Sequence, residues 1–151
     1  MARVAANPGT PWLVAGGWLS LAASALHVAC IVGGEKWYRF VGAGEDIAMA
    51  AASGALWPHL LTLGIAVVLA LWAAYAFSGA GRTRRPPLLR TALVLIAAVY
   101  LLRALVVLPA LAIRPEALTP FAIVSSLIVL VYGVAYAVGT ARAWMAMRQT
   151  T

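Results

Sequence analysis

Four stretches of almost unbroken apolar residues, separated by short polar segments, pattern this chain. A helix at a water-facing surface shows polar residues every three or four positions; these runs do not, so every face suits a lipid surround. The spans expected are 12–32, 55–77, 88–108 and 118–141, each near the roughly 20 residues that cross a hydrocarbon core. The second lies in an apolar run from Ile47 to Phe77, about 31 residues and too long for one upright span of about 20 to 25. Ser53, Gly54 and Pro58 are the interruption, since Pro58 has no amide to donate and crowds the carbonyl of Gly54. Ile47 to Ser53 is then a surface helix. The third span ends near Leu108, with an extension through Pro109 to Ile113 left open.

The connecting segments support this division. Pro8, Gly9 and Pro11 delay helix at the start, and Gly79 to Pro87 (GAGRTRRPP) is the clearest boundary, a basic loop at 78–87. The loop over 33–54 mixes Glu35, Lys36, Arg39, Glu45 and Asp46 with Trp37, Tyr38 and Phe40, a combination suited to the headgroup layer. Either a short reentrant or surface-lying lid or a flexible, aromatic-anchored loop fits it. Arg114-Pro115-Glu116 is expected to turn tightly, and Arg142 to Thr151 forms a basic amphipathic tail. Ala23-Ser24-Ala25 resembles a signal-peptide cleavage site, yet apolarity continues to Val32, beyond the roughly 7 to 15 residues of such a core. The expected fold is therefore all-α: one membrane domain over 1–151, an antiparallel four-helix transmembrane bundle running up-down-up-down.

Composition removes the soluble alternative. The chain has 151 residues, 64% hydrophobic and 10% charged, against about 25% charged in soluble domains; its mean hydropathy is +0.95. A net charge of +7 would suggest nucleic acid on a soluble face, but these basic residues sit in short segments between apolar runs and report topology. Arg3, Arg82, Arg84, Arg85, Arg90, Arg142 and Arg148 fall on one side with no acid. Lys36, Arg39 and Arg114 fall on the other with Glu35, Glu45, Asp46 and Glu116. The positive-inside rule places both termini and the Arg82 loop in the cytoplasm, in a multi-pass protein of the inner (plasma) membrane. Trp12, Trp72, Tyr75 and Trp144 then fall at an inner aromatic belt, and Trp37, Trp57 and Phe121 at an outer one. The single Cys30 forms no internal disulfide and no paired-cysteine motif.

Ranked by depth, Ser24, His27, His59, Thr62, Tyr100, Arg103, Ser125 and Ser126 all lie in the outer half. The inner half is mostly Leu, Val and Ala, which disfavours a channel. One polar group from each helix at similar depth suggests an outward-facing pocket between the helices, with His27, Trp57, His59, Tyr100, Arg103 and Ser125 as its ligand-binding residues. Arg103 is the centre of this reading, because a guanidinium in an apolar helix is costly and pairs bidentately with an anion. The plainer reading has it snorkel to the headgroups. Gly17, Ser20, Ser24 and His27 form one helical stripe in the first span, and Ser125, Tyr132, Tyr136 and Thr140 another in the fourth. With Gly133 and Gly139, such small-residue stripes usually mean helix packing.

The function expected is binding or transport of a small amphiphilic or anionic molecule, with membrane lipids as surroundings and association with itself or a larger membrane complex as a further expectation. A structural or accessory subunit of such a complex is the alternative. His27 and His59 on neighbouring helices admit bis-imidazole ligation of a b-type haem, although each histidine more simply bonds a neighbouring helix. No zinc site is expected, for want of a third ligand. A lipid-modifying enzyme, with His59 or Glu45 as proton carrier beside Arg103, is the remaining class; no nucleophile elbow, phosphate loop or paired-carboxylate motif selects a reaction.

Overall fold

The computed structural model describes residues 3–113 and 118–148. Among them it is built of helices alone: α1 Thr10–Gly33, α2 Glu35–Phe40, α3 Glu45–Ala52, α4 Trp57–Gly79, α5 Leu89–Leu105, α6 Val107–Ile113 and α7 Pro120–Ala143. Four stretches, Thr10–Gly33, Trp57–Gly79, Leu89–Ile113 and Pro120–Ala143, are long and apolar enough to cross a membrane. Their exposed faces agree. Leu60, Leu61, Leu63, Val67, Val68 and Leu71 on α4, and Val94, Leu95, Val99 and Leu102 on α5, lie open. Continuous apolar faces of that extent would drive aggregation in water and are what acyl chains solvate.

Local sequence explains where each helix stops. Asn7 prepares α1: its Oδ1 accepts from the Gly9 amide at 2.9 Å, and its carbonyl accepts from the Thr10 amide at 3.0 Å. Thr119 caps α7, its side chain accepting from the Ala122 amide at 3.1 Å, with Pro120 at a position that needs no donor. Gly54 (φ +80) and Gly81 (φ +77) terminate α3 and α4 in the left-handed region; there the amides of Ala55 and Arg82 reach back to Ala50 and Phe77. Pro58 does not kink a helix, because it falls at the second residue of α4, where a missing amide costs little. The second span therefore starts at Trp57, and the 33–54 stretch contains two short helices. Pro109 acts differently: it withholds the amide that the Leu105 carbonyl would accept, and α5 ends at Leu105, leaving α6 as a separate short helix. The expected turn at Arg114-Pro115-Glu116 and the last residues of the basic tail lie outside the described residues.

The chain divides into two compact units, one from Met1–Ser20 with Trp72–Thr151 and one of Leu21–Leu71. In the first, α5 and α7 pack along their lengths: Arg90 lies over Trp144, Tyr100 against Tyr132 and Tyr136, and Arg103 beside Ser126. Small residues permit the approach. A Cβ added at Gly139 would stand 2.8 Å from Leu13 Cγ and 3.1 Å from its backbone nitrogen, so α1 and α7 touch there only because Gly139 has no side chain. In the second unit, Tyr38, Cys30 and Ala48 form the core, with Val41, Ala43, Ile47 and Ala51 packed around them. Ser24 ties α1 to α4 by donating to the Ala66 carbonyl at 2.7 Å.

Candidate functional site

The first unit is organised around Ser20. Its hydroxyl lies 2.9 Å from the Tyr100 hydroxyl and 2.9 Å from that of Tyr136, and Tyr136 donates to the Trp72 carbonyl at 3.0 Å. A carbonyl can only accept, so the single Tyr136 proton goes there and Tyr136 must accept from Ser20; Ser20 in turn accepts from Tyr100. The result is a one-directional chain, Tyr100 to Ser20 to Tyr136 to Trp72. Aromatic edges close around it: the Tyr100 ring centroid lies 4.9 Å from that of Trp72, 5.4 Å from Tyr132 and 5.5 Å from Tyr136. Ser20, Tyr100 and Tyr136 are all buried, so the polar groups at this level pair with one another and the space between them is filled by rings.

Arg103 stands one turn beyond Tyr100, in the last turn of α5. It is exposed, and its Nη1 approaches Ser126 Oγ at 3.4 Å, a long contact. The hydroxyl beside it is that of buried Ser126, whereas Ser125 donates to the Ala122 carbonyl of its own helix at 3.1 Å. No Asp or Glu occurs among the described residues of this unit. Open apolar side chains, Leu102, Leu105 and Val106, flank the guanidinium in sequence.

His27, Trp57 and His59 belong to the second unit. His27 Nδ1 lies 2.7 Å from the Ala23 carbonyl of its own helix. His59 Nδ1 lies 3.1 Å from the Tyr38 hydroxyl, with the two rings 5.7 Å apart. His59 thus joins α4 to α2, the simpler of its two expected roles, whereas the described bond of His27 stays within α1. Trp57 is exposed. Among the described residues no group of three or more His, Cys, Asp or Glu is placed to hold a metal ion. Arg39 is clamped between Glu35, four residues away on α2, and Glu45 at the start of α3. The hydrogen bond that Arg39 donates to Glu45, and then that to Glu35, raises the guanidinium pKa above its ordinary value. Glu35 and Glu45, two of the four side-chain carboxylates in the chain, are therefore already paired.

Sequence reasoning placed Tyr100 in a pocket and Ser20 on a packing stripe, and missed that the two meet. Trp72 was read as an interfacial ring, yet it packs edge-on against Tyr100. The available signal was the recurrence of hydroxyls at Ser20, Tyr100, Tyr132 and Tyr136 near the middles of three spans, where an unpaired hydroxyl is expensive. No family model, curated protein or solved structure matches the chain, so the function rests on its own residues.

Proposed function

We propose that this is an antiparallel four-helix protein of the inner membrane, with both termini cytoplasmic, that binds the charged head of a small anionic amphiphile at Arg103 in the outer half of the bilayer. The observation behind this reading is an exposed guanidinium on an apolar helix whose described partner is one hydroxyl, Ser126 at 3.4 Å. An ion left so poorly paired at membrane depth is unfavourable, and an anion brought by a ligand relieves it. The apolar flank of Leu102, Leu105 and Val106 suits the tail of the same molecule.

Binding is favoured over passage, because the turn next to Arg103 is occupied by the rings of Tyr100, Tyr132 and Tyr136. The accessory-subunit alternative draws less support: Gly16, Gly17, Ser20, Gly133 and Gly139 are buried within the chain and do not form an outward docking stripe.

Thermal unfolding of purified protein, with and without a long-chain carboxylate, tests the reading. The wild type should gain stability with ligand. Arg103→Lys should gain less, since a point charge replaces a bidentate fork. Arg103→Leu should fold at least as well unliganded, Leu being the better lipid-facing residue by about 3 kcal/mol on insertion scales, and should lose the ligand response. A response undiminished in Arg103→Leu overturns the site.

A further inference from the structure

At the opposite end of α5 a cavity of about 390 Å³ opens, lined by Arg85, Leu88, Leu89, Arg90, Thr91 and Trp144. Its volume lies in the range of small-molecule sites, and its lining is that of an anion receptor. The Arg90 guanidinium carbon sits 3.7 Å from the centre of the Trp144 ring; stacking of this kind fixes the plane of the fork and leaves its N–H edge for a ligand. Arg90 Nε is buried without a hydrogen-bond partner, so this guanidinium is left short of the pairing that a charged donor needs. Arg85 adds a second cation to the same wall. Leu88 precedes α5 as its N-cap and offers no capping side chain, so the first-turn amides add their partial positive charge to that of the two arginines. The described residues of this unit include no carboxylate to act as counter-ion.

We propose that this cavity binds a phosphate oxyanion, as carried by the headgroup of an acidic phospholipid. Two rim residues favour a lipid-borne phosphate over a free one. Leu88 is 78% exposed and held at φ +53, a conformation costly for a bulky side chain, and it gives the rim an apolar element that inorganic phosphate does not need. Trp144, also exposed, is amphipathic in the way that headgroup-level residues are. Basic recesses between spanning helices are well suited to such headgroups. The site lies about 20 Å along α5 from Arg103 and does not depend on the reading given for that residue.

Native mass spectrometry of the full chain in a neutral detergent, offered phosphatidylglycerol or phosphatidylcholine, tests the proposal. The wild type should retain phosphatidylglycerol in preference. Arg90→Gln should reduce that retention about tenfold, equivalent to about 1.4 kcal/mol. Because Arg90 also packs on Trp144, Arg85→Gln serves as the second variant and should show a loss in the same direction. Displacement of the lipid by millimolar inorganic phosphate would support the oxyanion site and widen its source to soluble phosphate; failure of phosphate to compete would assign it to the lipid. Equal retention of the two lipids by the wild type, or a preference undiminished in both Arg85→Gln and Arg90→Gln, overturns it.

Discussion

The direction of the Tyr100–Ser20–Tyr136–Trp72 chain makes its members unequal. Ser20→Ala leaves the Tyr100 hydroxyl buried without its described partner, whereas Tyr136→Phe leaves Ser20 still paired with Tyr100 and the Trp72 carbonyl within its own helix. Ser20→Ala should therefore cost more, about 1–2 kcal/mol, against less than about 1 for Tyr136→Phe, allowing for the modest worth of interhelical hydrogen bonds in bilayers. Adding Tyr100→Phe to Ser20→Ala should recover part of the loss, because no orphaned hydroxyl remains. Chemical denaturation in mixed micelles reads all three. A loss for Tyr136→Phe equal to or larger than that for Ser20→Ala would contradict the assigned direction. Sequence identified Arg103 as the costly residue of the third span and Tyr100 as a pocket candidate beside it. It could not pair them with Ser20 and Ser126, because the rotation of one helix against the next depends on packing and leaves no mark in an all-apolar pattern.

At the scale of elements, span boundaries were legible to within a few residues because proline and glycine act through the backbone wherever they stand. Pro58 and Gly54 were the right interruption, although Pro58 opens α4 and breaks nothing. Ending α5 at Leu105 required weighing the loss of one hydrogen bond at Pro109 against an apolar composition that continues unchanged to Ile113, and composition alone left that open. Glycines that look alike in sequence differ here. A Cβ at Gly139 meets Leu13 backbone at 3.1 Å, while one at Gly64 meets nothing within 4 Å. Gly139→Ala should destabilise by about 1–3 kcal/mol through overpacking, and Gly64→Ala should stabilise by up to about 1 kcal/mol through helix propensity. Paired melting curves check both, and a neutral Gly139→Ala would contradict the α1–α7 contact.

For the molecule as a whole, α5 carries an arginine toward each of its ends, Arg90 beside a cavity and Arg103 on an open apolar face. The sequence pointed to the second and passed over the first, counting Arg90 only as a topological charge, because the cavity arises from Trp144, 54 positions further along the chain by their numbering. Assigning Arg103 to the outer leaflet and the Arg90 cavity to the inner one depends on the orientation inferred from the charge asymmetry. That orientation is tested most directly by labelling intact cells with a membrane-impermeant maleimide, in a Cys30→Ala background that removes the single native thiol. Single cysteines are introduced at two exposed positions, Thr83→Cys in the basic loop and Lys36→Cys on α2. Labelling at position 36, with position 83 protected until the membrane is permeabilised, is the expected result; labelling at position 83 in intact cells would contradict it.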